Sequence, residues 1–196
     1  NPGLTRHLAG GIATRLRDRT AGGPTVRRQF AAVALLPLDD GPATNDLVER
    51  LARALAARGP VRILSSQSVT ATGSIALPER PGAPVSPQTV DWLAAEEDRH
   101  RFVLYVADAG ATPWSDLALR HADLVLLVGD ASRPAARRPW ESQMLDAPGG
   151  PVARKALVLM HAGKPAPITG TQAWLKDRQL DFHLHLRGGV AADFDR

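Results

Sequence analysis

The amino-acid sequence predicts an α/β protein with three layers, α/β/α, in which a mainly parallel, doubly wound sheet of about six strands lies between helices. The first observation is the stretch 101–130, where two uninterrupted apolar runs of strand length flank one short helix. Strands buried on both faces need no polar–apolar alternation, and parallel strands require a crossover between them. The second observation is that strand-like runs and helical patterns alternate along the rest of the chain.

Apolar runs bounded by glycine, proline or polar turn residues define the strands. The predicted strands are Phe30–Leu36, Val61–Leu64, Phe102–Ala107, Leu124–Val128, Lys155–His161 and Leu180–Leu186. Between the second and third strands, residues 65–85 hold several proline or glycine turns and no sustained period. We therefore expect a long, mobile excursion there.

The helices are predicted from their periodicity and their capping residues. Thr112 followed by Pro113 is a strong helix start, and Ser86 followed by Pro87 is another. A further helix is predicted to be capped by Thr44 or Asn45 and to stop at Gly59-Pro60, with one face made of Leu47, Leu51, Ala54 and Leu55. The helix after Ser86 is predicted to carry Val90, Leu93, Ala94 and Glu97 on one side. Two short helices complete the prediction: Trp140–Leu145, and one capped by Thr169 or Thr171.

Composition limits the class of protein. The 196 residues include 44% hydrophobic and 22% charged residues, an ordinary balance for a globular protein. No apolar run approaches the roughly 20 residues that cross a bilayer, and no secretory signal is present. The absence of cysteine excludes disulfides and thiolate metal sites. We expect a cytoplasmic location, and we expect the chain, which begins at Asn1, to be a piece of a longer protein.

The positive charge is confined to the amino-terminal segment. The chain carries a net charge of +4, but residues 1–28 contain six arginines and one acid, so the remainder is almost neutral. This argues against nucleic acid as a partner, because a nucleic-acid-binding domain carries its charge on the folded surface. We predict two parts: a basic leader helix and linker at 1–28, and a single α/β domain at 29–196. The helix Leu4–Arg19 either lies on an anionic membrane or connects to a preceding domain.

Chemistry in this architecture is expected at the carboxyl ends of the strands. A phosphate-binding loop needs glycines, a lysine and a Ser/Thr hydroxyl, whereas residues 36–46 offer one glycine, no lysine and two adjacent aspartates. We therefore expect no bound cofactor and no metal. The candidate crevice residues, in case some affinity is retained, are Asp40, Thr44, Asp108, Gly110 and Asp130. Asp108 and Asp130 also allow a structural interpretation, in which each caps a turn at the end of a strand.

Other chemistry-bearing residues have ordinary explanations. No Gly-x-Ser-x-Gly occurs, and the serines at 65, 66 and 68 are interpreted as turn formers. His183 and His185 alternate on a predicted strand and so share one face, but the sequence nominates no third metal ligand. His100, His121 and His161 are interpreted as single residues. Trp92, Trp114, Trp140 and Trp174 fall at or in helices, where they either pack against the sheet or form an interdomain surface.

Three segments together resemble a known family. They are FAAVALLPLDDGPATNDLVERLARAL, WLAAEEDRHRFVLYVADAGATPWSDLALRHADLVLLVG and HLHLR. They are similar to the region that precedes the catalytic domain in patatin-like lysophospholipases of the neuropathy target esterase type. The resemblance covers residues 30–196 and implies a degenerate P-loop-like (Rossmann-like) fold, also similar to ParA/MinD-type ATPases.

The resemblance implies a role inside a larger enzyme. The family's catalytic Ser–Asp dyad lies in motifs that this chain does not contain, so no catalytic residue is carried over, and we expect no enzymatic activity from this chain. The parent is expected to be a serine esterase with cyclic-nucleotide-binding-like domains before this region and the patatin domain after it. Those domains are the expected partners. A nucleotide-binding switch and a membrane-surface adaptor acting through residues 1–28 remain the alternatives.

Overall fold

The computed structural model describes residues 31–73, 75–146, 150–162 and 169–187. The predicted leader helix and linker at 1–28 lie outside these residues. The strands are β1 (Ala31–Pro37), β2 (Val61–Ser65), β3 (Phe102–Val106), β4 (Leu124–Asp130), β5 (Arg154–His161) and β6 (Phe182–Arg187). The helices are α1 (Ala43–Ala56), α2 (Ser66–Ala71), α3 (Pro87–Arg99), α4 (Pro113–His121), α5 (Pro139–Leu145) and α6 (Thr171–Leu175).

The described strands form one six-stranded sheet in the order β2-β3-β1-β4-β5-β6, and every pairing is parallel. The predicted fold class is therefore confirmed. The order places β1 between β3 and β4, so the chain winds from β1 towards one edge and returns past β1 to build the other. The carboxyl ends of β1 and β4 lie at this reversal, which is where doubly wound sheets bind their ligands.

Helices cover both faces of the sheet. On one face, α1 buries a stripe that includes Leu47, Leu51 and Leu55 against β1, β3 and β4. On the other face, side chains such as Leu93 of α3 and Trp114 of α4 join a second apolar cluster. Trp114 is 1% exposed, and its indole N–H donates to the Val106 carbonyl at 2.8 Å. The tryptophans at 114 and 174 thus pack against the sheet, as the first of the two interpretations predicts.

Two helix starts confirm the predictions from local sequence. The Thr112 hydroxyl accepts a hydrogen bond from the Ser115 N–H, with Pro113 in the first turn, and Ser86 caps α3 in the same way. Two others differ. Helix α1 begins after Pro42 without a side-chain cap, because Thr44 lies inside the helix on its sheet-facing stripe. Helix α6 begins after Gly170, which adopts a left-handed φ of 78°.

The predicted excursion after β2 contains a helix. Ser65 and Ser68 form a reciprocal capping box that starts α2, so a local hydrogen-bond pattern stabilises a turn of helix that hydrophobic periodicity does not reveal. Residues 65–85 are thus not one irregular excursion. The turn-forming interpretation of the serines agrees with this role. No helix among the residues described here has the length and apolar character needed to cross a bilayer.

Helix α3 buries only part of the predicted face. Leu93 and Glu97 are buried as predicted, whereas Val90 is 42% exposed and Glu96, which is not part of the predicted face, is buried. Glu96 pairs with Arg62 of β2 at 2.8 Å, and Glu97 accepts a hydrogen bond from the buried Tyr105 hydroxyl at 2.8 Å. Burial, and then the neighbouring Glu97, raise the pKa of Tyr105, so the phenol stays protonated and donates. Polar contacts, which hydrophobic periodicity does not indicate, thus help to determine which face of α3 is buried.

Candidate functional site

The loop between β1 and α1 occupies the place of a phosphate-binding loop. When the pattern Gly-x-x-x-x-Gly-Lys-Ser/Thr is laid on the turn from β1 into α1, its defined positions fall on Pro37, Pro42, Ala43 and Thr44. Only the threonine matches. The lysine that would reach the phosphates is an alanine, and both glycines that permit close backbone approach are prolines. The loop therefore lies where a P-loop lies, between β1 and α1, but it lacks the lysine and both glycines of the pattern.

An internal carboxylate lies in this loop. Asp39 is buried, and its Oδ1 accepts a hydrogen bond from the Gly41 N–H at 2.8 Å while its Oδ2 accepts one from the Asp130 N–H at 3.0 Å. The Arg133 guanidinium is 3.8 Å from the same carboxylate. A β-carbon added to Gly41 would lie 2.6 Å from Asp39 Oδ1, so the contact leaves no room for a side chain there. The protein's own anion thus engages one backbone donor of this loop and another at the end of β4.

Asp130, a predicted candidate, belongs to this cluster. Its Oδ1 accepts hydrogen bonds from the Ser132 hydroxyl at 2.7 Å and from the Ser132 N–H at 2.8 Å. Partial burial opposes ionisation, but these two hydrogen bonds and the charge of Arg133 hold the pKa of Asp130 below its ordinary value. Arg133 lies 3.9 Å from Asp130 and is half exposed. Asp130 therefore forms a turn after β4, as the structural interpretation predicts, with a cation shared between it and Asp39.

Asp108, at the end of β3, lies in a second cluster made of hydroxyl groups. Its two carboxylate oxygens accept hydrogen bonds from Ser66 at 2.6 Å and from Thr112 at 2.7 Å. Its backbone N–H donates to the Ser115 hydroxyl at 2.9 Å. Because both oxygens are engaged, the carboxylate fastens the start of α2 to the start of α4. Gly110 lies in the same turn, where its N–H donates to the Asp108 carbonyl at 2.9 Å.

The predicted candidates therefore do not form one site. β1 separates β3 from β4, so about 10 Å, two strand spacings, lies between the strand ends that carry Asp108 and Asp130. Asp40 is exposed beside the buried Asp39. Thr44 is 4% exposed, inside the first turn of α1. Within the same residues, no group of three or more histidine or acidic side chains is arranged to hold a metal ion.

Two further contacts escape prediction from the sequence. His161, which the sequence presents as a single residue, lies with its Nε2 2.8 Å from the Nδ1 of His185. Glu141 and Arg178 form a doubly hydrogen-bonded ion pair whose side chains are 1% and 2% exposed. Each pair joins segments far apart in the chain, so neither spacing nor periodicity indicates it.

The comparisons with known proteins agree with this architecture. A family model described as the Neuropathy Target Esterase family P-loop like domain matches residues 29–193. The chain belongs to this family. It is 39% identical over 161 residues to patatin-like phospholipase domain-containing protein 7 of Rattus norvegicus, and 38% identical over 160 residues to protein 6 of that name from Homo sapiens. These alignments cover 80% and 81% of the chain and 11% of each relative.

A third relative carries an activity in its name. Lysophospholipase NTE1 of Mycosarcoma maydis is 40% identical over 95 residues, which is 48% of the chain and 5% of that protein. The resemblance found in the sequence is thus confirmed at the level of the family. The chain corresponds to about a tenth of the length of the two patatin-like relatives, and it is the P-loop-like domain of this group of proteins.

Proposed function

We propose that this domain is a non-catalytic, regulatory interdomain module of a patatin-like lysophospholipase. In this proposal the parent chain hydrolyses lysophospholipid esters with a Ser–Asp dyad outside this domain. The domain holds the catalytic domain and passes on states of the domains before it. Such transmission requires contacts that differ between two states of the neighbours.

The observation that carries the proposal is that a carboxylate of the β1–α1 loop itself accepts hydrogen bonds from backbone N–H groups. Asp39 supplies a carboxylate to the Gly41 and Asp130 N–H groups. A bound phosphate would meet this negative charge, and Ala43 provides no lysine to offset it. A domain that keeps a doubly wound fold while its own carboxylate engages a backbone donor of this loop is better suited to making protein contacts than to turning over nucleotide.

A nucleotide-binding switch is the second candidate, and one observation favours it. Thr44 occupies the position at which a P-loop hydroxyl binds magnesium, and it is buried in the first turn of α1. Titration calorimetry of the 196-residue chain with Mg-ATP and with Mg-GTP separates the two functions. We expect no saturable binding up to about 1 mM nucleotide, which corresponds to a binding free energy weaker than about −4.1 kcal/mol. Saturable micromolar binding contradicts the scaffold and supports the switch.

Variants of the loop sharpen this test. The double variant D39A/A43K removes the internal carboxylate and returns the missing lysine, so it is expected to bind Mg-ATP more tightly than the native chain. The single variant A43K is the matched control, because it gains the lysine but keeps Asp39. If A43K alone binds as tightly as D39A/A43K, the carboxylate is not what fills the site.

The interdomain role needs the full-length parent enzyme. Arg133 lies half exposed at the carboxyl edge of the sheet, and Arg154 lies 41% exposed at the amino edge; each has a long ion pair, at 3.7–3.9 Å. We expect Arg133→Glu to change lysophospholipase activity of the parent at least several-fold, since it reverses an exposed charge at the carboxyl ends of the strands, where doubly wound folds bind their ligands. Arg154→Glu is the control. Equal activity of both variants and the native enzyme contradicts docking at the carboxyl edge.

A further inference from the structure

A pair of histidines joins the last two strands at the carboxyl edge of the sheet. His161 ends β5, and His185 lies in β6, the edge strand. Their rings meet with Nε2 of His161 2.8 Å from Nδ1 of His185, and the ring centroids are 5.1 Å apart. The other nitrogen of His185 lies 3.3 Å from the hydroxyl of Thr171, in the first turn of α6. The contact therefore ties β5, β6 and α6 together.

The number of protons on the two rings decides whether this contact exists. A hydrogen bond between two imidazoles needs one N–H donor and one bare nitrogen. The neutral pair has two N–H groups and satisfies this requirement. The singly charged pair has three and still keeps one bare nitrogen at the contact. When both rings are charged, all four nitrogens carry protons, so two N–H groups face each other and the hydrogen bond is lost.

The charges around the pair resist full protonation. Burial lowers the pKa of His161, and the Arg187 guanidinium lowers it further, while Asp130 at the end of β4 opposes both. Burial, followed by the charges of His161 and His183, lowers the pKa of His185. His183 packs edge-on against His185 with centroids 5.7 Å apart. From α6, the group that faces the pair is the uncharged hydroxyl of Thr171.

We propose that the His161–His185 contact is a proton-operated latch that holds the edge strand β6 and the first turn of α6 against the sheet, and that it opens when both rings are charged. The direction follows from linkage. Both imidazoles have a lower pKa in the folded chain than in the unfolded chain, so the local structure is most stable above about pH 6.5 and weakens as the pH falls below that value. Because opening requires two protons, its pH dependence is steeper than that of a single histidine.

Hydrogen exchange of the 196-residue chain tests the latch. Backbone amides of β6 are followed between pH 7.5 and 5, with rates corrected for intrinsic exchange, and amides of the central strand β3 serve as an internal reference. We expect protection in β6 to fall about tenfold or more while β3 keeps its protection. A fall in β6 that is matched in β3 reports general acid unfolding and overturns the proposal.

Two variants separate the latch from a general effect of histidine. His161→Gln keeps a hydrogen-bonding side chain that does not titrate, so the pH dependence in β6 is expected to shrink below threefold. His183→Gln, on the same strand and face, is the control: it keeps both rings of the latch, so the dependence is expected to remain, displaced to higher pH because the charge of His183 no longer lowers the pKa of His185. A native pH dependence in His161→Gln overturns the proposal. If that variant fails to fold, an NMR titration of the native rings decides: loss of the inter-ring contact on the second protonation supports the latch, and loss on the first contradicts it.

Discussion

Replacement of Arg178 by methionine is expected to destabilise the domain by about 3–5 kcal/mol, because it leaves a buried charge without its partner. The guanidinium donates to both oxygens of Glu141, from Nε at 2.8 Å and from Nη2 at 3.0 Å. Its Nη1 donates to the carbonyls of Ala135 and Trp174 at 3.0 and 2.8 Å. Solvent cannot take over these bonds, since the two side chains are 2% and 1% exposed.

A double variant tells charge apart from packing. In E141L/R178M no ion remains buried, so about half of the loss is expected to be recovered. The backbone groups that lose a partner are the Ala135 and Trp174 carbonyls and the Arg138 N–H, which donates to Glu141 at 2.8 Å. At about 1 kcal/mol for each lost hydrogen bond, a residual cost of about 1–3 kcal/mol is expected.

Urea unfolding followed by tryptophan fluorescence measures these differences. With a slope of about 2 kcal/mol per molar urea, R178M is expected to lower the midpoint by about 1.5–2.5 M. R120M is the control, because the Arg120–Asp116 pair, at 2.8 Å, is 41% and 22% exposed and is expected to contribute less than about 1 kcal/mol. The reasoning is refuted if R178M costs no more than R120M, or if E141L/R178M is as unstable as R178M alone.

Three further substitutions test contacts on which the site depends. Gly129→Ala is expected to cost about 1–3 kcal/mol in thermal or urea unfolding, because its β-carbon would lie 2.8 Å from the Trp174 ring, and the additional change Trp174→Leu is expected to recover part of that cost. Gly41→Ala is expected to cost about 1 kcal/mol by displacing the Asp39 carboxylate; an unchanged midpoint would show that the loop adapts freely. Ser65→Ala removes the reciprocal cap of α2 and is expected to cost about 1 kcal/mol, with faster amide exchange confined to that helix.

Local patterns in the sequence suffice for much of this fold. The strands β1, β3, β4 and β5 contain apolar runs of strand length. The starts of α3 and α4 at Ser86-Pro87 and Thr112-Pro113 depend on residues within three positions of one another. Such features are decided by nearest neighbours along the chain, so they can be read from composition and spacing. The helix start at Pro42 departs from this rule because Thr44 turns towards the sheet instead of capping.

The polar contacts of the site, in contrast, join residues that are far apart in the sequence. Asp39 bonds to Asp130, 91 residues away, and Glu141 bonds to Arg178, 37 residues away. These partners meet only because the sheet order places β1 beside β4 and because α5 and α6 share one face. The sequence shows that Asp39 and Asp40 disfavour phosphate, but it does not show that Asp39 is buried and satisfied while Asp40 stays exposed.

The internal carboxylate also constrains how this domain can transmit a change of state. A nucleotide switch needs a ligand that interacts differently with two conformations. Here the anion at the contact between the β1 loop and the end of β4 is the side chain of Asp39, which accepts the Asp130 N–H without any bound ligand. Under the proposed function, differential contacts must then come from surfaces that meet neighbouring domains. Arg133 is half exposed and lies within 4 Å of both Asp39 and Asp130. Under the proposed function, an anionic group of a neighbouring domain that pairs with Arg133 would weaken the attraction of Arg133 for these two carboxylates.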